Sequence, residues 1–409
     1  MMRKLLEDRH VLEALQYIKE DNARTFQELL EMCQIPAPSY QEREKAEYIM
    51  RKFMEIGLDD VSMDEVYNVF GVIKGAGDGP ALMLAAHTDT VFPMDTDLTV
   101  KQEGTRYTCP GISDDTRAIA ELFTIARSML ASHIQGNGDI IFCANVCEEG
   151  LGDLRGVKYI FGKQNVLDGF VTIDNLVTAG IIYTATGSQR FRVRFHGAGG
   201  HSFSDFGIPN PIHAMGRAVS LIADFQVPKL PKTTFNVGVV KGGTSVNTIS
   251  AEAEMLVDIR SDSKKELERL VDEMRQAVRL AVESENQRWD SGKIITADIE
   301  LTGVRPAGRQ EKGCTIVRAA WDAAEVLGLS PELRAESSTD ANIPIALGIP
   351  AIAVGRGGEE GGIHTIHEWH DPTNAYLGAQ KNFLVILALS GYGQFRKYQL
   401  PKLKKEQRR

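Results

Sequence analysis

Two spacings of apolar residues alternate along this chain, and they predict helices and strands in turn. Near the start, apolar residues recur every three or four positions, which predicts amphipathic helices over 10–33 and 42–56. Ser39 and Glu42 stand at the spacing of a capping box for the second helix. Continuous apolar runs then alternate with helical segments: strands over 81–86, 140–146 and 170–173, and helices over 115–132 and 154–161. This alternation predicts an α/β fold with a mainly parallel sheet covered by helices on both faces.

From Arg190 the pattern changes to that of a smaller α+β unit. The predicted strands are 190–196, 235–240, 254–259 and 294–301, and the predicted helices are 211–225 and one with Leu267, Leu270, Val271, Met274, Val278, Ala281 and Val282 on its apolar face. The order β-α-β-β-α-β is that of a ferredoxin-like unit. After Gly303 the alternation of helix and short strand resumes. We therefore expect a discontinuous domain, residues 1–187 and 304–409, interrupted by an inserted domain over 188–303.

Composition narrows the class of protein. The chain has 409 residues and a formal net charge of −9, which argues against a general nucleic-acid binder. No apolar run reaches the ~18 residues that span a bilayer, and the first residues turn acidic early, so we expect a cytoplasmic protein without a membrane partner. Five scattered cysteines favour buried thiols over disulfides. The basic segment 396–409 is either a solvated end or a contact for an anionic partner.

The candidate functional residues are sought just after the predicted strands, because ligands of such sheets bind at the carboxyl ends of the strands. His87 and Asp89 follow an apolar run and point to the same side of an extended chain. Asp89 could therefore hold one ring nitrogen of His87 while the other nitrogen binds a metal. Asp114 and Asp115 enter a helix, where paired acids are usually caps but are also hard oxygen ligands for a divalent ion.

Three further groups extend this pattern. Glu148 and Glu149 end an apolar strand, where adjacent carboxylates are either a solvated turn or a pair neutralised by a cation. Asp174 follows the next apolar strand, and three of the nine histidines fall within residues 364–370. Together these imidazoles and carboxylates suit two zinc-like ions about 3.5 to 4 Å apart, with a carboxylate and a water between them.

The ordered set of motifs resembles one enzyme family, the co-catalytic di-zinc exopeptidases. The family includes peptidase T, carboxypeptidase G, aminoacylase, acetylornithine deacetylase and succinyl-diaminopimelate desuccinylase, and the resemblance is strongest to a peptidase T-like branch. The matching motifs are His87-Thr88-Asp89, Gly111-Ile112-Ser113-Asp114-Asp115, Glu148-Glu149-Gly150, Ile173-Asp174, Gly199-Gly200-His201-Ser202, Gly242 to Ile249, Ser338-Thr339-Asp340-Ala341 and His364-Thr365. They run through essentially the whole chain. The chain departs from many relatives after Asp114, the position of the family's metal-bridging acid. In those relatives the bridging acid is followed by one further residue and then by Lys-Gly or Lys-Ala. Here Asp115 is followed by Thr116-Arg117-Ala118.

The resemblance implies a metal centre with assigned ligands. Asp114 would bridge two zinc ions, with His87 and Asp174 on one ion and Glu149 and His364 on the other. Cobalt or manganese could substitute for zinc. His367 is the alternative to His364, and the closing motif His-Thr-x-x-Glu-Trp favours His364. The family also implies a cis peptide bond between Asp114 and Asp115.

The resemblance further implies roles in catalysis. Glu148 would be the general base for the zinc-bridging water, and Asp89 would orient His87. The inserted domain would be a lid and dimerisation domain of a homodimer, with His201 reaching the partner subunit's active site and Asn247 and Arg260 meeting the substrate. We expect an exopeptidase acting on short peptides. The alternatives are an amidohydrolase or deacylase of N-acyl amino acids and, from another class, a catalytically silent binding scaffold.

Overall fold

The chain forms two compact units. The computed structural model describes residues 2–163, 167–335 and 337–403, so the last six residues of the basic segment lie outside the described part. The larger unit comprises Met1–Ala185 and Arg309–Arg409, and the smaller unit comprises Thr186–Gly308. The boundaries that we predicted for the inserted domain, 188 and 303, both fall inside the smaller unit.

The helices and strands of the described residues are numbered here in chain order. The α-helices are α1 (Arg9–Glu20), α2 (Asn22–Met32), α3 (Arg43–Ile56), α4 (Thr116–Ala131), α5 (Arg155–Lys163), α6 (Pro211–Ala223), α7 (Lys264–Gln287), α8 (Thr315–Val326), α9 (Asn342–Ala346) and α10 (Tyr376–Ser390). The strands are β1 (Asp59–Met63), β2 (Val69–Ile73), β3 (Leu82–His87), β4 (Lys101–Glu103), β5 (Arg106–Thr108), β6 (Ile140–Asn145), β7 (Gly169–Ile173), β8 (Gly180–Ile182), β9 (Thr184–Ala185), β10 (Gly187–His196), β11 (Gly200–His201), β12 (Thr233–Gly242), β13 (Thr248–Ile249), β14 (Glu252–Ser261), β15 (Thr296–Arg305), β16 (Gly308–Arg309), β17 (Glu332–Arg334), β18 (Ala351–Val354), β19 (Glu359–Gly361) and β20 (Trp369–Asp371). Short 3-10 helices cover Met2–Glu7 and Gly150–Gly152.

The larger unit is built on an eight-stranded sheet in the order β1-β2-β6-β3-β7-β18-β8-β17. The pairs β6–β3, β3–β7, β7–β18 and β8–β17 are parallel, and the other three pairs are antiparallel. Leu82, Leu84 and Ala86 of β3 belong to one buried apolar cluster, and Met83 and Ala85 belong to another. Because successive residues of a strand point to opposite faces, both faces of the sheet are covered. The predicted fold class is confirmed.

The smaller unit is a four-stranded antiparallel sheet with two helices against it. The strand order is β12-β14-β10-β15, and each neighbouring pair is antiparallel. Alternate residues of β10, namely Phe191, Val193 and Phe195, pack in one buried cluster with apolar residues of α6 and α7. The two helices therefore cover the same face, as in the predicted ferredoxin-like unit.

Two local predictions were wrong, and in both a distant partner explains the difference. The predicted helix over 10–33 is two helices separated at Asp21, whose Oδ2 accepts a hydrogen bond from Nε of Arg127 on α4 at 2.9 Å. The predicted capping box also fails, because α3 begins at Arg43 and its N-cap residue makes no side-chain capping bond. The Ser39 hydroxyl instead donates to Asp89 Oδ2 at 2.6 Å.

All five cysteines fall in the described residues and are free thiols, four of them buried. Among the described helices, none combines the length and the apolar character that crossing a bilayer requires.

Candidate metal centre

Three parallel strands bring the predicted ligands to one edge of the larger sheet. His87 ends β3 and pairs with Asn145, the last residue of β6, while Asp174 directly follows β7. Glu148 and Glu149 lie just beyond β6. Because parallel strands end at the same edge, these side chains converge there. Asp114 and His364 reach the cluster from loops, the first two residues before the start of α4 and the second between β19 and β20.

Asp114 lies between two imidazoles. Its Oδ1 is 3.2 Å from His87 Nε2, and its Oδ2 is 3.2 Å from His364 Nε2. His364 Nε2 is also 2.7 Å from Glu149 Oε1. On the His87 side, potential ligand atoms of His87, Asp114, Asp115 and Asp174 all lie within 4.8 Å of one another. The cluster thus has two halves that share Asp114.

Asp89 supports both the first histidine and the pair of glutamates. Its two carboxylate oxygens accept hydrogen bonds from the backbone N–H groups of Glu148 at 2.8 Å and Glu149 at 3.0 Å. His87 Nδ1 is 3.0 Å from the backbone oxygen of Asp89 and 3.6 Å from its Oδ1. Asp89 therefore fixes the ring of His87 mainly through its main chain, and fixes the glutamates through its carboxylate.

The segment that carries Asp114 has an unusual backbone. The Asp114–Asp115 peptide bond is cis, which confirms that prediction. Asp115 occupies the N-cap position of α4 but makes no side-chain capping bond. Its Oδ2 instead accepts a hydrogen bond from the backbone N–H of His87 at 3.1 Å. The interpretation of these two acids as ordinary helix caps is therefore wrong.

The electrostatics of the cluster favour a cation. Hydrogen bonds from His364 to Asp114 and Glu149 raise the pKa of that imidazole to about 10 although burial opposes the shift. Burial would raise the pKa of Asp114, but the Arg356 guanidinium and the two imidazoles outweigh it and hold this pKa well below its ordinary value. The same negative potential that keeps a proton on His364 attracts a divalent ion.

Two residues of the centre were not among the predicted site residues. Arg356, which lies between Gly355 and Gly357, is buried and faces the carboxylates of Asp114, Asp115 and Asp174. Glu368 is buried too, and its Oε1 accepts hydrogen bonds from the backbone N–H groups of Ser113 and Asp114 at 2.8 and 2.9 Å. Burial raises the pKa of Glu368 to about 7. Of these two residues, only Glu368 could have been found from the sequence, because it stands in the closing His-Thr-x-x-Glu-Trp motif.

The motif Ser338-Thr339-Asp340-Ala341 contributes a buried acid. Asp340 Oδ2 accepts a hydrogen bond from Asn145 Nδ2 at 2.6 Å, so it is tied to the end of β6. Burial is also the main cause that raises the pKa of Asp340 to about 7. Its partner Asn145 faces His87 across the strand pair, which places Asp340 behind the cluster.

The histidine segment separates into three environments. His364 belongs to the cluster, His367 is exposed, and His370 is buried in β20. Of the two candidates for a ligand, the structure brings His364 into contact with Asp114 and Glu149.

Three predicted residues lie in the smaller unit. His201 is in β11, and its Nδ1 accepts hydrogen bonds from the backbone N–H groups of Phe203 and Ser204 at 3.2 and 3.3 Å. Asn247 Oδ1 accepts a hydrogen bond from the Ser245 hydroxyl at 2.9 Å. Arg260 lies on β14, and its Nε is 2.7 Å from Asp258 Oδ2.

The residues of the cluster fit two divalent ions of the zinc type. Each half offers one imidazole nitrogen and carboxylate oxygens, which is the donor chemistry that zinc takes in catalytic sites. Asp114 presents one oxygen to each half, as a bridging carboxylate must. The Glu148 carboxylate lies in a third group with His87 and Glu149, within the same 4.8 Å limit.

Comparisons with known proteins agree with this geometry. Residues 183–285 match the model of a peptidase dimerisation domain, and residues 68–190 match that of peptidase family M28. Among curated relatives, protein YqjE of Bacillus subtilis is 26% identical over 84% of this chain and 92% of its own. A succinyl-diaminopimelate desuccinylase of Corynebacterium glutamicum is 23% identical over 80% of this chain and 86% of its own.

Solved structures share the fold. A tripeptidase of Staphylococcus aureus matches with a TM-score of 0.75 and 21% identity, over 90% of this chain and 98% of the other. Protein YxeP of Bacillus subtilis, described as a dinuclear metal binding peptidase of the M20 family, matches with a TM-score of 0.66 and 20% identity over the same shares. The fold and the cluster thus define a metal-dependent hydrolase of peptide or amide bonds. Within that class, the chain is similar to the M20 family of metallopeptidases, whose dimerisation domain matches residues 183–285.

Proposed function

We propose that this protein is an exopeptidase that cleaves short peptides with two zinc ions. His87 and Asp174 would hold one ion, Glu149 and His364 the other, and Asp114 would bind both. The observation that carries this proposal is the position of Asp114, whose two oxygens each face a different imidazole. Bound zinc ions would supply polarisation of the amide carbonyl and a lower pKa for water. Cobalt or manganese are substitutes with similar ligand preferences.

Glu148 is the proposed general base. Its backbone is held by Asp89, and its carboxylate lies beside His87 and Glu149 without being needed in either half of the ligand set. In this position Glu148 can take a proton from water and later deliver it to the nitrogen of the leaving amine. Asp89 serves as the residue that keeps His87 and Glu148 in place.

His201 is the proposed donor to the oxyanion. Because its Nδ1 accepts hydrogen bonds from two backbone N–H groups, the neutral ring carries its proton on Nε2. The side chain is thus prepared to donate from Nε2 to a negatively charged oxygen. The match of residues 183–285 to a dimerisation domain supports a homodimer, in which we place His201 at the partner subunit's active site.

Asn247 and Arg260 are the proposed substrate contacts in the smaller unit, which we interpret as a lid. Arg260 is partly exposed, with a side-chain exposure of 44%, and a guanidinium can bind a substrate carboxylate with two hydrogen bonds. Asn247 accepts a hydrogen bond from the backbone N–H of Ser202 through its own backbone oxygen, which ties it to the His201 turn.

A peptide substrate is preferred over an N-acyl amino acid on the basis of fold similarity. The tripeptidase of Staphylococcus aureus and the aminopeptidase PepT of Bacillus cereus match over nine-tenths of this chain with TM-scores of 0.75 and 0.72. The second candidate, a deacylase of N-acyl amino acids, is favoured by the relative named succinyl-diaminopimelate desuccinylase.

A substrate panel tests the proposal. The zinc-loaded protein would be incubated with di- and tripeptides, with the same peptides blocked at either terminus, and with N-acetyl and N-succinyl amino acids. We expect release of a terminal residue from unblocked peptides and no turnover by Glu148→Gln under the same conditions. Faster cleavage of N-acyl amino acids would make the deacylase the correct assignment. Metal analysis is expected to find two ions per chain, and a single bound ion would contradict the dinuclear centre.

A further inference from the structure

The His87 half of the cluster contains a positively charged side chain of the protein itself, the guanidinium of Arg356. Arg356 Nη1 lies 2.8 Å from Asp115 Oδ1, 3.4 Å from Asp114 Oδ1 and 3.6 Å from Asp174 Oδ1. Among the described residues, its other ion pair within 4 Å is with Glu360, and none is with Glu149. The guanidinium thus faces the oxygen that Asp114 turns toward His87, and not the one that it turns toward His364.

Arg356 cannot easily move away from this position. Its side chain is 2% exposed, and its Nε donates to both oxygens of Glu360 at 3.0 and 2.8 Å. Its backbone N–H donates to the carbonyl of Asn175. The glycines on both sides pack closely, because a Cβ on Gly355 would lie 1.9 Å from a carbonyl oxygen and a Cβ on Gly357 would lie 1.8 Å from another. The charge is therefore part of the rigid scaffold.

A fixed positive charge at this place has two opposite effects. In the metal-free protein it offsets the repulsion among the carboxylates of Asp114, Asp115 and Asp174, whose oxygens lie within 4.8 Å of one another. When a divalent ion binds those same oxygens, the guanidinium repels it, and the repulsion is strong because the site is buried. Apart from Asp114, no carboxylate of the half with His364 lies within 4 Å of Arg356 among the described residues, so the guanidinium repels an ion there less strongly.

We propose that Arg356 is a positioning residue that stands in for a metal ion in the His87 half and weakens the binding of the ion that arrives there. The ion of the His364 half then binds first and more tightly, and the ion of the His87 half binds second. This inference rests on the proposed dinuclear centre and adds an order of binding and a cause for it.

Zinc titration of the metal-free protein against a chromophoric chelator tests the proposal. We expect two steps, of which Glu149→Gln removes the tighter one and Asp174→Asn the weaker one. Arg356→Met should tighten the weaker step by about tenfold or more, because it removes the repelling charge. Arg356→Lys, which retains a charge, should keep that step weak.

Thermal unfolding gives a second readout that does not depend on activity. Arg356→Met should lower the Tm of the metal-free protein more than that of the zinc-loaded protein, since zinc replaces the lost positive charge. The control is Arg127→Met, which removes a buried arginine paired with Asp21 and Glu28 in the same unit. This variant should lower both Tm values alike and leave both zinc steps unchanged.

The outcomes separate this inference from the function on which it rests. If the wild type binds no zinc, the proposed metal centre is wrong. If it binds two ions but Arg356→Met leaves the weaker step unchanged or weakens it further, the centre stands and the role of Arg356 is wrong. Should metal-free Arg356→Met fail to fold, the zinc-loaded variant is titrated with chelator instead. The proposal then requires more chelator than the wild type needs to remove the first ion, and an equal or smaller amount overturns it.

Discussion

Glu148 and Glu149 are adjacent residues with the same side chain, yet the structure gives them different surroundings. Glu149 Oε1 is 2.7 Å from His364 Nε2, on the half of the cluster where that imidazole meets Asp114. The Glu148 carboxylate lies within 4.8 Å of potential ligand atoms of His87 and Glu149, and it is not part of the group that contains His364. Both backbone N–H groups are bound by one carboxylate, that of Asp89. A single support residue therefore orients a proposed base and a proposed ligand together.

Replacing each glutamate by glutamine should separate these roles. Glu148→Gln should lower kcat by about 10²-fold or more with two zinc ions still bound, because an amide cannot accept the proton of water. Glu149→Gln should mainly weaken zinc binding, because the amide is a poorer ligand than the carboxylate. Steady-state kinetics and metal analysis on the same preparations provide the measurement.

The wild-type protein prepared in parallel is the reference for both quantities. Near-normal turnover by Glu148→Gln would contradict its assignment as the base. Full zinc content in Glu149→Gln, together with unchanged affinity, would contradict its assignment as a ligand.

A buried lysine allows a prediction about pH. Lys381 on α10 is fully buried, and its Nζ donates to the carbonyl of Gly355 at 2.9 Å. Burial lowers its pKa from the ordinary value of 10.5 to about 7. Between these two values the unfolded chain binds a proton that the folded chain releases, so this residue makes stability rise with pH in that window.

The free energy of unfolding should therefore respond to pH differently in wild type and Lys381→Met. As the pH is raised from 7 to 9, the wild type should gain stability relative to the variant, measured by urea unfolding. Lys101→Met, at an exposed position of β4, should run parallel to the wild type. A constant difference between wild type and Lys381→Met across this range would refute the prediction.

At the same scale, the sequence predicted which side chains come together better than it predicted the contacts that hold them in place. His87, Asp114, Glu149 and His364 come together as expected, because each follows a strand or lies in a recognisable motif. Arg356 could not be found, since a guanidinium between carboxylates is defined by contacts that span the chain: it is separated from Asp115 by 241 residues. Asp89 was expected to hold His87 by its carboxylate, and only the folded chain shows that this carboxylate is bound by Ser39 and two backbone amides.

At the scale of helices and strands, the periodicity of apolar residues predicted correctly whether a segment is a helix or a strand. It predicted less well where the helices are interrupted and how they are capped. The strands β3, β6 and β7 were expected from continuous apolar runs, and each is almost entirely buried. The break between α1 and α2 and the failure of the capping box of α3 were not predicted, and at these two places Asp21 and Ser39 bond to the distant residues Arg127 and Asp89. A local pattern of apolar residues contains no information about such long-range partners.

At two glycines, the structure predicts opposite effects of an alanine substitution on the free energy of unfolding. A Cβ on Gly216, an exposed residue within α6, would contact nothing within 4 Å, whereas a Cβ on Gly357 would lie 1.8 Å from the carbonyl oxygen of Ala375. Gly216→Ala should raise the free energy of unfolding by about 1 kcal/mol, because alanine is the better helix former. Gly357→Ala should lower it by about 1 to 3 kcal/mol or more through overpacking.

Urea unfolding of both variants measures the two effects against the wild type. Because Gly357 adjoins Arg356, its variant should also alter zinc binding, while Gly216→Ala should not. Equal stability of the two variants would show that the close approach at Gly357 relaxes without cost.

At the scale of the whole molecule, the proposed role of His201 requires two chains. His201→Ala should lower kcat by about 10²-fold, the scale of losing one oxyanion donor, with both metal ions still bound. A His201→Ala chain keeps an intact metal centre, and a Glu148→Gln chain keeps an intact lid. Mixed under subunit exchange, these two inactive variants should form one complete active site per heterodimer and regain a substantial part of wild-type activity.

Differently tagged chains allow heterodimers to be isolated and assayed. The control is a heterodimer of two differently tagged Glu148→Gln chains, which should remain inactive. Isolated mixed heterodimers without activity would mean that His201 acts within its own chain or has no role in turnover.

The order of the proposed metal ligands along the chain has a consequence for synthesis. His364 lies 215 residues after Glu149, its partner in the cluster, and the whole smaller unit is translated between them. At about 5 to 20 residues per second, a ribosome needs roughly 10 to 40 s to cover that distance. For most of this interval the nascent chain already carries Asp114, Glu149 and Asp174 but lacks the second imidazole. The proposed zinc centre can therefore be completed only after His364 has been translated, well after its other proposed ligands.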